Sequence, residues 1–108
     1  MTGDDSLGPL LASRVLDAVH PDGTVTPISV QLGMPGPHSD NVGDWSCPCR
    51  IQGLGDSDVW TLYGVDSLQA VSQAIELLRR VLADFAREER LTFTWGTDTG
   101  LDVFEVLW

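Results

Sequence analysis

The sequence predicts an α+β domain in which an antiparallel sheet of about six strands packs against one long amphipathic helix. Several short runs alternate apolar and polar residues at a period of two, which is typical of strands. One stretch after Asp66 instead repeats its apolar residues at steps of three and four, which indicates a helix. At 108 residues, the chain has the length of a single domain.

The beginning of the chain predicts a leader and a first strand. Residues 1–9 are expected to be a flexible leader, and residues 10–108 the single domain. Residues 10–19 are rich in Leu, Val and Ala and precede a Pro-Asp-Gly turn at 21–23, which favours a hairpin with its first strand at 12–19. A helix over 12–19 is the alternative, because the period of these residues is ambiguous.

The next strand and loop follow from alternation and from proline. Residues 24–33 alternate and predict a strand. Pro27 has no N–H for a ladder, so it predicts an edge strand or a bulge there. Residues 33–44 form the longest predicted loop, and loops of this length are uncommon and often functional.

Two strands and a helix follow this loop. Residues 45–52 alternate throughout, and residues 58–63 predict a central strand because neither of their faces is polar. Asp66 is a favourable helix N-cap, with Gln69 at the capping-box position. The predicted apolar stripe of the helix, which is about 22 residues long, consists of Leu68, Val71, Ile75, Leu78, Leu82 and Phe85.

Two more strands are predicted at the end of the chain. Residues 91–95 alternate, and residues 102–107 form the last predicted strand after a turn at 96–100.

Two segments resemble an uncharacterised family of small bacterial domains of unknown function. The first is a Trp-x-Cys strand at 45–47, and the second is a Gly-x-Asp-Ser-x-Gln-Ala helix start at 64–70. The resemblance implies a bacterial source, and it implies no activity because the family has none assigned.

The charge of the chain is strongly acidic. Sixteen acids face six arginines and no lysine, which gives a net charge of −10. A field of this sign repels nucleic acid and anionic membrane surfaces, and it attracts a basic protein. No signal peptide and no apolar run of membrane-spanning length occurs, so a cytoplasmic location is expected.

The two cysteines are the first candidates for chemistry. The spacing of Cys47 and Cys49 differs from the Cys-x-x-Cys of zinc and thioredoxin-like sites. Alternation places both thiols on the face of Trp45 and Ile51, where a free cysteine packs as a small hydrophobic residue. We therefore expect buried thiols, and neither a metal nor a cofactor.

The remaining candidates are one histidine and six acids in loops. His38 lies in the long loop beside Asp40 and Asp44, but the sequence contains no Gly-x-Ser-x-Gly elbow that would supply a serine nucleophile. The loop acids lack the spacing of a calcium loop. A partner-binding surface is therefore predicted at His38, Asp40, Asp44, Asp56, Asp58, Asp98 and Asp102.

These observations favour a small acidic protein-interaction domain, binding or inhibitory and of the immunity type, that engages a basic protein. A small hydrolase-like enzyme using His38, with Asp40 or a cysteine, is one alternative. A structural homodimer formed through an open sheet edge, at the Pro27 strand or the Trp108 strand, is the other.

Overall fold

A computed structural model describes residues 7–37, 44–55, 58–96 and 98–101. Their strands pair antiparallel throughout and pack with a single helix, which confirms the predicted α+β fold class. Six strands have four or more residues, and one has two. In chain order the elements are β1 (Leu10–Val19), β2 (Val25–Gly33), β3 (Gly36–Pro37), β4 (Trp45–Gln52), β5 (Trp60–Gly64), α1 (Ser67–Glu89), β6 (Thr92–Trp95) and β7 (Asp98–Leu101).

Strand β4 lies between β2 and β5. Cys49 shows this, because it pairs with Leu32 on one side and with Trp60 on the other. The two-residue β3 pairs with the start of β4 on the β2 side. Among the described residues, the order across the sheet is therefore β5, β4, β2, β1, β6, β7, with β5 and β7 at the two edges.

The β1–β2 hairpin confirms a strand, and not a helix, over residues 12–19. The His20 N–H donates to the Thr24 carbonyl at 2.8 Å, and the Gly23 N–H donates to the His20 carbonyl at 2.9 Å. Gly23 has a φ of 89°, a conformation that glycine adopts without strain. The turn that the sequence predicts from Pro-Asp-Gly is therefore the one that joins these strands.

The edge position predicted from Pro27 is wrong. Strand β2 is interior, because β1 pairs along its whole length and β4 pairs with its second half, beginning at Ser29. Pro27 pairs with Asp17 of β1 and lies before the stretch that β4 reaches. Its missing N–H therefore costs no bond in the β2–β4 ladder.

Helix α1 packs mainly on β4 and β5. Its fully buried residues are Ala70, Ala74, Leu78 and Leu82, so the buried stripe is rotated from the predicted one. Leu68, which the predicted stripe includes, is 73% exposed. Periodicity alone favours the larger side chains, whereas the small alanines allow the helix to lie close to the sheet.

The last described strand begins earlier than predicted. Asp98 pairs with Trp95, so β6 and β7 form a tight hairpin and the predicted turn at 96–100 is too long. The predicted strand at 102–107 lies outside the described residues.

The core lies between the inner face of the sheet and α1. Phe93, Leu16, Ile28, Ile51 and Leu82 are its largest fully buried side chains. Leu7, from the segment predicted to be a leader, is also buried, and positions 1–6 lie outside the described residues.

Candidate functional site

Both cysteines lie in the core, as the alternation of β4 predicts. Cys47 and Cys49 have no exposed surface, and the Cys47 thiol lies 3.5 Å from the Gly33 carbonyl oxygen, to which it donates. Burial raises the pKa of the Cys47 thiol. Burial, with a further contribution from Cys47, raises the pKa of Cys49 to about 12. Both thiols are therefore protonated near neutral pH.

Burial bears on what the cysteines can do. The thiolate is the form that attacks substrates, and burial favours the protonated thiol at both positions. The enzyme alternative that uses a cysteine would therefore need a sulfur that the described core does not expose. Within the described ranges, no group of three or more His, Cys, Asp and Glu side chains is placed to hold a metal ion.

Four of the predicted partner-binding residues, His38, Asp40, Asp56 and Asp102, lie outside the described residues. The other histidine, His20, is in the β1–β2 turn, where its Nε2 lies 2.9 Å from the Thr26 hydroxyl. The hydrogen bond to Thr26 therefore holds this imidazole within the β1–β2 hairpin.

The structure does not bring the other predicted acids together. Asp44 directly precedes β4. Asp58 precedes β5 and lies level with Ile51 of β4, so the two acids are about seven residues, or roughly 23 Å, apart along the strand direction. Asp98 is on β7 at the opposite edge, about 24 Å across the sheet. Because the Debye length is about 8 Å at physiological ionic strength, these positions act as separate charges.

Acids on the helix are balanced locally by arginines. Arg79 pairs with Glu76 at 3.1 Å, and Arg87 pairs with Asp84 at 2.5 Å, each three residues apart on α1. Both ion pairs recorded between described residues are on this helix. The acids outside α1 therefore contribute most of the unbalanced charge.

An exposed apolar patch lies on the face of β5 that points away from α1. Tyr63 is 52% exposed and Val65, two positions further along the chain, is 68% exposed, and we call these two residues the β5 patch. Leu68 is also exposed, at 73%, but it lies on the helix. Asp44 lies beside this patch. Trp45, the first residue of β4, pairs with Gly64, and the same register places Asp44 opposite Val65. The central position predicted for residues 58–63 is wrong, because β5 pairs with β4 alone among the described strands, and an edge strand leaves this patch exposed.

The start of the helix fixes the geometry of the patch. The Asp66 side chain accepts from the Gln69 N–H at 2.8 Å, as the predicted N-cap requires. The Gln69 side-chain oxygen accepts from the Val65 N–H at 2.8 Å, one residue before the usual capping-box partner. These two bonds hold the chain from β5 into α1 in one conformation.

A second surface feature is a groove of about 280 Å³ between β1, β2 and the helix. Ala12 and Leu32 line it from the sheet, and Ile75 lines it from the helix. Arg14 is its charged wall, and its guanidinium stacks over the Trp95 ring at 3.9 Å from the centroid. The groove exists because α1 covers β4 and β5 more fully than it covers β1.

The comparisons with known proteins identify a family and no activity. Neither the curated proteins nor the solved structures give a significant match to the chain. In the described part of the chain, no helix is both long and apolar enough to cross a membrane. A family model described as "Domain of unknown function (DUF6968)" matches residues 12–103. This match confirms the predicted resemblance to an uncharacterised family of small domains, and the chain belongs to the DUF6968 family.

Proposed function

We propose that this protein is a small acidic protein-interaction domain that engages a basic partner protein, either as a simple binder or as an inhibitor of the immunity type. The net charge of −10 with no lysine supports a cationic partner, because such a field accelerates the approach of a basic surface. The proposal places the protein in a reducing cytoplasm, where its thiols remain free.

The observation that carries the proposal is the β5 patch with acids at its rim. Protein interfaces typically have an apolar, often aromatic, centre surrounded by polar residues. Tyr63 is the aromatic member of the patch, while Asp44 and Asp66 lie beside it. Neighbouring large apolar side chains that stay exposed on one face of a strand often mark a binding surface.

Affinity capture from the native host tests this proposal. We expect the immobilised domain to retain a basic protein at low salt and to release it as salt rises, because screening weakens the attraction. The Asp44→Asn/Asp66→Asn double variant should retain less of that protein at the same salt concentration, and asparagine at position 66 keeps a side-chain acceptor at the N-cap of the helix.

The matched control is Glu88→Gln/Glu89→Gln, which changes the net charge equally at exposed positions near the end of α1. This control should bind like the wild type. Retention of no basic protein at low salt would contradict the proposal. Equal losses from the two double variants would assign the effect to total charge and contradict the β5 patch as the binding surface.

A further inference from the structure

We propose that a shallow pit on the outer face of the sheet, the face that points away from α1, receives a lysine or arginine side chain of the basic partner. The aliphatic part of that side chain lies on Val15 and Pro27, and its cationic group lies beside the Asp17 carboxylate. The inference rests on the proposed function, and it adds a second point of contact at a distance from the β5 patch.

The pit has a volume of about 220 Å³. Val15 of β1 and Pro27 of β2 form its apolar wall, and both side chains are exposed, Val15 to 66%. Ser29 and Gln52 line it on the polar side. Pockets for small molecules usually have about 300–1,000 Å³, so this smaller volume suits a single side chain of a protein partner.

The end of β4 creates the pit. The pairing of β4 with β2 stops at Gln52 and Ser29, so among the described strands none lies on that side of β2 at Pro27. Gly53 then turns away from the sheet with a φ of 108°, and a Cβ there would clash with the Pro27 carbonyl oxygen. Only glycine passes so close to the β2 backbone, and the surface beyond it stays open.

Asp17 supplies the charge at the rim of the pit. It pairs with Pro27 across the β1–β2 ladder, and it lies two residues from Val15 on the same face of β1. Directly opposed residues of an antiparallel pair have their Cβ atoms about 4.5–5.5 Å apart, so this carboxylate is within reach of a cation whose stem rests on Pro27. Long basic side chains commonly bury the stem on apolar surface and keep the charged group at a polar rim.

The polar wall of the pit is held in place by its neighbours. Val15, Ser29 and Gln52 lie side by side across three strands. The Gln31 side chain donates to the Gln52 side-chain oxygen at 3.2 Å, and Arg50 Nε donates to the Gln31 side-chain oxygen at 2.9 Å. These bonds fix the Gln52 side chain, so the pit keeps its shape when it is empty.

The pit and the β5 patch lie on the same face of the sheet. Along β4, the pit at Gln52 is six residues from Ser46, which pairs with Tyr63. Across the sheet, β1 is three strands from β5. The two contact points are therefore about 25 Å apart. A standard interface buries about 800 Å² on each partner, which is a disc roughly 32 Å across, so one partner can cover both points.

A second copy of the chain is a poor occupant of the pit. It has no lysine and a net charge of −10, so two copies repel each other. Two of its six arginines pair with acids on α1, and a third stacks on Trp95. A basic partner has the complementary charge.

Pentylamine tests the pit on the full-length protein, because it has the stem and the charge of a lysine side chain. In an NMR titration of the isotope-labelled protein, we expect the largest shifts at the amides of Val15, Asp17, Ser29 and Gln52. Pentanol has the stem without the charge and should bind at least threefold more weakly. Ammonium chloride has the charge without the stem and should not give this pattern. The absence of local shifts, or equal shifts with ammonium chloride, would overturn the inference.

Single variants locate the bound amine. Asp17→Asn should weaken pentylamine at least threefold, whereas Glu88→Gln, at an exposed position of α1, should not. Val15→Thr keeps the β-branched shape and should also weaken pentylamine, because it replaces an apolar methyl group by a hydroxyl. Its matched control is Val65→Thr in the β5 patch, which should bind pentylamine like the wild type. If Asp17→Asn fails to fold, the two threonine variants carry the test, and equal binding by both would contradict the pit.

The captured basic protein separates this inference from the proposed function. The Val15→Thr/Asp17→Asn variant should retain less of it than the wild type. If this variant retains as much while Asp44→Asn/Asp66→Asn retains less, the pit inference is wrong and the interaction role stands. If the wild type retains no basic protein, the proposed function fails even where pentylamine binds. A dimer in sedimentation that Val15→Thr dissociates would assign the pit to a second copy and overturn the inference.

Discussion

The backbone nitrogen of Ala70 lies so close to Gly64 that a Cβ on the glycine would be only 2.5 Å from it. The same added carbon would lie 2.9 Å from the carbonyl carbon and the Cβ of Gln69. The first turn of α1 therefore rests directly on the backbone of the last residue of β5. This contact joins the helix to the edge of the sheet.

Gly64→Ala should destabilise the fold. The new methyl group meets backbone atoms that cannot move aside without shifting the helix, and overpacking of this kind costs about 1–3 kcal/mol. Urea denaturation measures the loss. Gly36→Ala is the matched control, because nothing lies within 4 Å of a Cβ at that position. Similar stabilities of the two variants would contradict the close approach.

Asp66→Ala should lower the free energy of unfolding by about 1 kcal/mol, since it removes the acceptor of the Gln69 N–H. Asp66→Ser keeps a side-chain oxygen at the N-cap and should retain most of the stability. Thermal unfolding followed by circular dichroism gives both values. The prediction fails if serine and alanine are equally destabilising.

The stability of the protein should fall as pH rises from about 9 to about 12. The ordinary pKa of a thiol is 9.0, and burial raises that of Cys49 to about 12 in the folded state. Below pH 9 the thiol is protonated in both states and contributes no pH dependence. Above pH 9 the unfolded chain loses this proton first, which favours unfolding by about 1.4 kcal/mol per pH unit for one thiol.

Urea midpoints at several pH values check this dependence. The Cys47→Ala/Cys49→Ala variant should lose less stability over the same range, because its other titrating groups are unchanged. Parallel pH profiles for the variant and the wild type would show that the thiols are not responsible.

The folded protein should also resist thiol reagents. Both sulfurs are fully buried and protonated, so reaction with Ellman's reagent at pH 8 should follow unfolding. The rate in urea should rise with the unfolded fraction. Immediate reaction of one thiol in native buffer would contradict its burial.

Arg14 and Trp95 should show a measurable coupling energy. A guanidinium stacked on a partly exposed indole contributes about 0.5–1 kcal/mol. A double-mutant cycle with Arg14→Gln and Trp95→Leu isolates this contribution from the other contacts of each residue. Additive effects of the two substitutions would exclude a stabilising stack.

Local alternation was sufficient to predict β4 and the burial of its thiols. The inward residues Cys47, Cys49 and Ile51 are buried, whereas Pro48 and Arg50 between them are only partly buried. A period of two places side chains on fixed faces whatever the neighbouring strands are, which is why this part of the fold is readable from the sequence.

Features that depend on neighbouring elements were not predictable in this way. The helix buries Ala70 and Ala74 and exposes Leu68, because Gly64 allows a close approach that only small residues fit. The separation of Asp44 from Asp58 likewise depends on strand register, which the sequence does not state. The sequence therefore predicted that the candidate surface is acidic, but not which residues lie next to one another on it.

The hydrogen bond from the Val65 N–H to Gln69 has one further consequence. It gives the Val65 N–H a partner within the domain and holds the exit of β5 against the start of the helix. A partner that binds at the β5 patch would thus meet a preorganised surface, and the loss of conformational entropy on binding would fall mainly on the partner. Loosening this anchor by Gln69→Ala would transfer part of that entropic cost to the domain itself.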